Sequence, residues 1–171
     1  IQNSGSGSED AGIRAVSDYN HISGNNIINS KYGIHLYYAD NNTISSNWVY
    51  NISFRGIALR YSGYNNVSSN WLYNISSVGI DVPLSAHNMI HSNYVYDSPN
   101  CYGIKIYESS YNTISSNHVH NTYDGIYLRS SSYTTISSNH LYNNSHYGIY
   151  FWGADNTTVI SNYVYNNTDY G

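Results

Sequence analysis

The sequence predicts an all-β fold in which the chain coils through a stack of equivalent turns, and two observations predict it. Glycine recurs at a nearly constant interval, and each of these glycines opens a short run of alternating apolar and polar residues. The repeated glycines are Gly12, Gly33, Gly56, Gly79, Gly103, Gly125, Gly148 and Gly171, with successive steps of 21 to 24 residues by subtraction. Self-similarity at a fixed period of this length is typical of stacked supersecondary units.

The first element of each repeat is a strand that begins at the glycine. Apolar residues occupy alternate positions there, as in Ile34 and Leu36 or Ile57 and Leu59, with polar or variable residues between them. A period of two indicates a strand with one buried face.

Two further short strands complete each repeat. The second is centred on Ile44, Val67, Ile90, Ile114, Ile136 and Val159, and the third on Val49, Leu72, Val95, Val119, Leu141 and Val164. No segment holds the apolar i, i+3, i+4, i+7 spacing of a helix, which disfavours a leucine-rich-repeat horseshoe. Three strands per turn therefore predict a single-stranded parallel β-helix, or β-solenoid, of about seven rungs of 21 to 24 residues.

The predicted β-helix covers residues 12–171. Residues 1–11 include a Gly- and Ser-rich stretch, which we expect to form a flexible lead-in or an inter-subunit segment. If Gly171 of one copy were followed by Ile1 and Gln2 of the next, the phrase would resemble the start of a repeat. This predicts end-to-end contacts through Ile1, Gln2 and Gly171, unless the chain is a piece of a longer repeat protein.

Asparagine recurs at two corners of the repeat. One column is Asn25, Asn47, Asn70, Asn93, Asn117, Asn139 and Asn162, and the second is Asn29, Asn51, Asn74, Asp97, Asn121, Asn143 and Asn166. Asparagine tolerates left-handed turns, and stacked carboxamides can hydrogen-bond to one another. We expect both columns to be structural ladders, with the second pointing inward.

The phrases Gly-Ile-x-Leu, Asn-Thr-Ile-Ser-Ser-Asn and x-Val-Tyr-Asn resemble the right-handed parallel β-helix repeat family over nearly the whole chain. The phrasing is closest to repeat-rich surface proteins of archaea and bacteria. These are similar to the periplasmic copper-binding accessory protein of nitrous oxide reductase and to many carbohydrate-active enzymes. The resemblance implies a right-handed coil, which is also the usual hand of parallel crossovers.

The composition excludes two classes of partner. Six Lys and Arg stand against ten Asp and Glu, and charged residues make up 9% of the chain, so no basic footprint for nucleic acid is present. No apolar run is long enough to insert into a membrane. We expect an extracellular or cell-surface protein.

One outer face of the third strand is predicted to be aromatic. Its two columns contain Trp48, Tyr50, Trp71, Tyr73, Tyr94, Tyr96, His118, His120, His140, Tyr142, Tyr163 and Tyr165. Aromatic residues favour strands and stack between rungs, so a purely structural role is one interpretation. A contiguous aromatic surface also indicates an assembly interface or a sugar-stacking face.

Histidines on this face are weak candidates for a metal site. His118 and His140 would lie about 4.8 Å apart on successive rungs, and His118 and His120 about 7 Å apart on one strand. Imidazoles at such distances could share a zinc or copper ion. No acidic or thiol ligand joins them, so we predict no metal and no cofactor.

Outward positions of the first strand carry the residues best suited to catalysis. They include His35, Arg60, Asp81, Lys105 and Arg129. We expect Asp81 and Lys105, on successive rungs, to form an ion pair. Two carboxylates do not share neighbouring positions there, as general acid and base catalysis on a sugar would require. We assign no catalytic residue and favour a non-enzymatic protein.

Sequons of the form Asn-x-Ser/Thr are abundant, and three lie in the turn before the second strand. These are Asn41, Asn66 and Asn156, which we predict as the glycosylation candidates. The sequons of the second asparagine column would be hidden if that column points inward.

Together these features favour an extracellular structural protein that stacks end to end with copies of itself into a filament, or forms a surface stalk. The alternative is a carbohydrate-binding or carbohydrate-processing β-helix that uses the aromatic face or the region of Asp81 and Lys105. A metal-binding module is the third hypothesis.

Overall fold

A computed structural model describes residues 10–169 and confirms the predicted β-solenoid of seven rungs with three strands each. The described residues form 21 strands and no helix, so no helix among them is suited to cross a membrane. Each strand pairs in parallel with its equivalent in the next rung, which gives three seven-stranded sheets.

The strands of each sheet recur at every third element. The first sheet contains β1 (Ala11–Ala15), β4 (Tyr32–Tyr37), β7 (Arg55–Arg60), β10 (Val78–Pro83), β13 (Tyr102–Tyr107), β16 (Ile126–Arg129) and β19 (Ile149–Trp152). The second contains β2 (His21–Ser23), β5 (Thr43–Ser45), β8 (Asn66–Ser68), β11 (Met89–His91), β14 (Thr113–Ser115), β17 (Thr135–Ser137) and β20 (Thr158–Ile160). The third contains β3 (Asn26–Ile28), β6 (Trp48–Ile52), β9 (Trp71–Ile75), β12 (Tyr94–Ser98), β15 (His118–Thr122), β18 (His140–Tyr142) and β21 (Tyr163–Tyr165).

The register aligns equivalent residues of successive rungs. Ile34 of β4 pairs with Ile13 on one side and with Ile57 on the other. Rungs of a parallel sheet lie about 4.8 Å apart, so every position of the repeat generates a column of side chains along the coil. The predicted apolar positions form columns inside the coil, where most have no exposed area.

The recurring glycine is explained by close approach inside the coil. A Cβ atom added to Gly56 would lie 2.6 Å from the carbonyl oxygen of Gly79 and 2.6 Å from a methyl group of Leu72. Added to Gly33, it would lie 2.5 Å from the carbonyl oxygen of Gly56. The repeat therefore keeps glycine because larger residues do not fit between the first strand and the third.

The first asparagine column is a buried ladder, as predicted. The Nδ2 of Asn70 donates to the main-chain oxygen of Ile44 at 2.9 Å and to Oδ1 of Asn93 at 3.0 Å. The same Oδ1 accepts the main-chain N–H of Asn70. This pattern continues from Asn25 to Asn162, so the amides satisfy the main chain at a corner where the sheets separate.

The second column does not point inward, which corrects our prediction. Asn51, Asn74 and Asn121 have φ angles of 54°, 51° and 54°, and their side chains are exposed. The left-handed residue bends the chain from the third sheet toward the first, and this bend interrupts the strict alternation of sides on which the prediction relied. The next residue turns inward instead, as the buried Ser98, Thr122 and Asn144 show.

Two buried polar columns were not predicted. They lie at the corner between the first and second sheets, where Asn42, Asn65, Asn88 and Asn112 form one and Ser62, Ser85, Ser109 and Ser131 form the other. The N–H of Asn65 donates to Oδ1 of Asn88 at 2.9 Å, and the N–H of Ser62 donates to the hydroxyl of Ser85 at 2.9 Å. These columns satisfy the main-chain groups of that corner.

Replacement of Asn93 by Ala should lower the free energy of unfolding by about 3 kcal/mol. The change leaves the buried main-chain N–H of Asn70 without its acceptor, at a cost of about 1–3 kcal/mol, and it also removes the hydrogen bonds that the Asn93 amide makes to the Asn70 carboxamide and to the Val67 oxygen. Urea unfolding followed by circular dichroism measures the loss. The matched control is Asn74→Gly, which keeps a residue that tolerates positive φ and removes an exposed amide. A similar loss in both variants would contradict the ladder's role.

Candidate functional site

The aromatic columns predicted on the third sheet form two continuous ring stacks. In one, the ring centroids of Trp48 and Trp71 are 5.1 Å apart with planes 7° from parallel, and those of Trp71 and Tyr94 are 4.1 Å apart. The stack continues through His118 to His140, and the ring of Tyr163 follows with its plane tilted by 55°. The other runs from Tyr50 through Tyr73, Tyr96, His120 and Tyr142 to Tyr165.

This arrangement occupies the ring faces. A sugar stacks on the face of an aromatic ring, whereas rings stacked along the coil present their edges to solvent. Trp48 is the better exposed of the two tryptophans, at 45%, because its neighbour in the preceding rung is the smaller Asn26. Stacking between rungs therefore accounts for most of these rings without a ligand, and both the assembly interface and the sugar-stacking face remain predictions.

The three histidines of this face do not form a chelating set. The rings of His118 and His140 stack with centroids 4.7 Å apart, so their nitrogens do not converge on one point. Partial burial lowers the pKa of His118, and the neighbouring His140 and His120 lower it further. Between residues 10 and 169, no group of three or more His, Cys, Asp or Glu is arranged to hold a metal ion. These residues do not fit a copper or zinc site.

The outer face of the first sheet has a different chemistry, and it carries most of the positive charge. Five of the chain's six Lys and Arg lie in strands β1, β7, β13 and β16 of this sheet, and we call their surface the cationic face: Arg14, Arg55, Arg60, Lys105 and Arg129. Among the described strands of this sheet the one acidic side chain is that of Asp81, which is buried, and Glu108 is exposed in the turn directly after β13. The exposed charges within the strands of this face are therefore basic although the whole chain has a net charge of −4.

Aromatic rings hold the cations of this face in place. The guanidinium of Arg129 lies 5.5 Å from the ring centroid of Tyr107 and 5.2 Å from that of Trp152. Arg60 lies 5.9 Å from the ring of Tyr37 and 5.3 Å from that of Tyr61. Such contacts fix the direction in which each guanidinium points.

Asp81 forms its close charge pair with Arg55, which corrects the predicted pair with Lys105. The Arg55 Nε lies 2.8 Å from the Asp81 Oδ2. Burial raises the pKa of Asp81, and Arg55 and Lys105 oppose this effect by their charge. Arg55 precedes the strand's central residues and its long side chain reaches across one rung, so the column pairing of Asp81 with Lys105 did not identify the partner.

Two histidines near this face, His35 and His146, are packed against neighbouring side chains. The ring of buried His35 stacks on Tyr32 with centroids 4.7 Å apart. His146 lies between two carboxylates, with Nδ1 2.8 Å from Asp124 and Nε2 3.0 Å from Asp169. Each ring nitrogen of His146 therefore faces a carboxylate, and these contacts connect adjacent rungs.

An exposed aromatic ladder that was not predicted lies at the corner between the first and second sheets. We call Tyr64, His87, Tyr111 and Tyr133 the corner ladder; their successive centroids are 4.8, 5.1 and 5.0 Å apart, with planes within 6° of parallel. Each has a φ near 55–60°. A left-handed conformation costs a residue with a side chain about 1–2 kcal/mol, and a ring pair contributes about 0.5–1.5 kcal/mol. The 22- to 24-residue spacing of these rings was a signal available in the sequence.

The sequons are distributed differently from our expectation. Asn41 and Asn156 are exposed left-handed corner residues, whereas Asn66 lies half-buried in β8. The sequon asparagines Asn51 and Asn74, expected to be hidden, are exposed. The three predicted glycosylation sites stay predictions, and burial no longer separates them from the second column.

Replacement of Arg55 by Gln should lower the free energy of unfolding by about 3 kcal/mol at neutral pH, because the buried Asp81 carboxylate loses its nearest cation. The raised pKa of Asp81 means that its protonated form favours folding at low pH and that this contribution is lost as the pH rises. The cost of Arg55→Gln should therefore shrink as the pH falls and Asp81 becomes protonated.

Urea unfolding between about pH 4 and pH 7.5 tests this coupling. Arg55→Gln in an Asp81→Asn background is the control, since the neutral amide needs no cation. A cost of Arg55→Gln that is equal at both ends of the pH range, or equal in both backgrounds, would contradict it.

Solved structures share this fold at low sequence identity. The periplasmic alginate epimerase AlgG matches with a TM-score of 0.79 and 18% identity over 90% of this chain and 42% of its own. An alginate lyase from Paenibacillus sp. str. FPU-7 matches with a TM-score of 0.70 and 16% identity over 99% of this chain and 77% of its own. PfbA, a surface adhesin of Streptococcus pneumoniae, gives 0.68 and 15% over 90% and 46%. The chain thus spans less than half the length of the epimerase.

At the level of sequence, the chain matches no curated protein. A family model described as periplasmic copper-binding protein (NosD) matches residues 12–170. The match covers all seven rungs of the solenoid, and the structure has the repeat architecture expected for it. The chain therefore belongs to the NosD family of parallel β-helix proteins.

Proposed function

We propose that this chain is a carbohydrate-binding β-helix of an exported protein, and that it binds an acidic polysaccharide along the cationic face. The observation that carries the proposal is the segregation of five of six basic side chains onto one sheet, beside aromatic rings. A net negative protein with a basic strip selects polyanions at that strip alone.

The geometry of the cationic face suits an extended ligand. Arg60 and Arg129 occupy the same outward column three rungs apart, which places their main chains about 14 Å from each other along the coil. Guanidinium groups bind carboxylates in a bidentate manner. A polymer that carries one carboxylate on each sugar offers several such partners in a row, so it can contact Arg60, Lys105 and Arg129 at once.

The comparisons support this proposal through the names of the matched proteins. AlgG is an epimerase of alginate and the Paenibacillus protein is a lyase of alginate, and PfbA is a surface adhesin. The family model is described as that of a periplasmic protein, and AlgG is a periplasmic enzyme. We accordingly propose a location outside the cytoplasm, in the periplasm or at the cell surface.

The proposal is binding rather than turnover. A general acid or base must touch its substrate. Asp81 is 2% exposed beside Arg55, and both nitrogens of His146 face carboxylates. The nearest partners of these groups are other side chains of the solenoid, whereas the exposed basic groups are suited to hold a polyanion.

Replacement of Arg60 and Arg129 together by Gln should weaken binding to a polyuronate at least about tenfold, because each charge-assisted contact contributes about 1.5–3 kcal/mol. Calorimetry with polyuronate and with a neutral glucan measures the effect, and we expect binding of the polyuronate alone, weakened by added salt.

Trp48→Ala/Trp71→Ala is the control on the third sheet and should leave the affinity unchanged. Loss of binding in the tryptophan variant with retention in the arginine variant would move the site to the aromatic face. Absence of polyuronate binding by the unaltered protein would refute the proposed function.

A second candidate is a structural role as a rigid stalk or an end-to-end filament. Continuous amide and aromatic ladders on several sides of the coil favour it, because they couple every rung to the next. The predicted end contacts Ile1, Gln2 and Gly171 lie outside the described residues.

Electron microscopy of the purified protein tests the filament. Fibres with an axial repeat of about 33 Å, seven rungs of about 4.8 Å, would support end-to-end stacking. Discrete particles at high protein concentration would contradict it.

A further inference from the structure

The corner ladder has a conformation that its residue types disfavour. Tyr64, Tyr111 and Tyr133 have φ angles of 56°, 60° and 54°, a region that bulky side chains rarely adopt. At the same position of other rungs the chain has Tyr19, Asn41 and Asn156, with φ angles of 60°, 57° and 54°. Asparagine is among the residues that tolerate this conformation best, so the turn itself does not require a tyrosine.

Burial does not explain these rings either. Tyr64 is 60% exposed and Tyr111 and Tyr133 are each 52% exposed, so half or more of each side chain is in contact with water. The ring pairs compensate for strain in part, but exposed rings gain little from the hydrophobic effect. Left-handed residues stand at the corners of every rung, Tyr38, Tyr61 and Leu84 among them, so the φ angle alone does not mark a functional surface. The exposed rings, which neither the turn nor burial requires, indicate an interaction surface.

The corner ladder adjoins the cationic face. Arg60 contacts the ring of Tyr61, and between Tyr61 and Tyr64 the chain has only Ser62, which points inward, and Gly63. The residues equivalent to Gly63 in the next three rungs are Ala86, Ser110 and Ser132, which are also small. The position next to the corner ladder is therefore small over four rungs, and the position next to the basic column holds Tyr61, Leu84, Glu108 and Ser130.

We propose that the corner ladder is the second contact line of the polysaccharide site, and that it binds the sugar hydroxyls of the chain whose carboxylates the cationic face holds. This inference rests on the proposed function. The phenol groups of Tyr64, Tyr111 and Tyr133 and the imidazole of His87 recur at the rung spacing of about 4.8 Å, as hydrogen-bonding groups of a ligand parallel to the coil would. The ladder contributes ring edges and hydroxyls, because its inner ring faces are occupied.

Replacement of Tyr111 and Tyr133 together by Asn tests this inference, since it removes the rings and relieves backbone strain. We expect an unchanged or higher melting temperature, at least tenfold weaker binding of polyuronate, and the same dependence of affinity on salt because no charge is lost. Tyr111→Phe/Tyr133→Phe, which retains the rings and removes the hydroxyls, should weaken binding by a similar factor.

The matched control is Ser116→Asn, on the same rung as Tyr111. Ser116 is an exposed residue with φ of 56° at the corner between the second and third sheets, so the change also favours the left-handed turn and removes no aromatic ring. It should leave polyuronate affinity unchanged.

The outcomes separate the two proposals. If the tyrosine variants bind polyuronate as well as the unaltered protein while Arg60→Gln/Arg129→Gln does not, the inference is wrong and the proposed function stands. A lower melting temperature in Tyr111→Asn/Tyr133→Asn would assign the rings a structural role and also overturn it. If the unaltered protein binds no polyuronate, both proposals fail.

Discussion

The whole molecule depends on hydrogen bonding between equivalent strands of successive rungs. Because the register repeats without a shift, each residue of a strand pairs across the sheet with the corresponding residue of the next rung, about 4.8 Å away. A residue type therefore stabilises the fold at a given position of the repeat when its side chain packs well against the same side chain in the neighbouring rungs. Isoleucine and leucine meet this condition inside the coil, carboxamides meet it at the corners, and flat rings meet it on the third sheet.

Sequence patterns identified whatever repeats regularly along the chain. The glycine period, the three strands and the first asparagine ladder are confirmed because each depends on spacing alone. The inward direction of the second ladder was wrong because left-handed residues such as Asn51 and Asn74 break the alternation of sides. The partner of Asp81 was wrong because Arg55 reaches it from another column. Spacing gives neither bend angles nor side-chain reach, and it does not reveal whether a ring shows its face or its edge.

The three outer faces separate chemical functions that a globular protein would mix. The first sheet carries nearly all of the positive charge, the second carries short hydroxyl side chains such as Thr113 and Ser115, and the third carries stacked rings. Family membership does not determine which of these faces is used, since the described histidines do not form the ligand set that the family's copper-binding description suggests. A common fold therefore supports different surfaces.

The buried amide ladder gives the solenoid a column of aligned side-chain dipoles. From Asn25 to Asn139, every Nδ2 donates to the Oδ1 of the following rung, so six side-chain dipoles align in the same sense along the coil. Aligned hydrogen bonds polarise one another and strengthen the chain of contacts. A rung can therefore join this column in one orientation only, and a reversed rung would oppose oxygen to oxygen. Growth of such a protein by duplication of rungs preserves this polarity automatically, which makes length the property of the fold that is easiest to change.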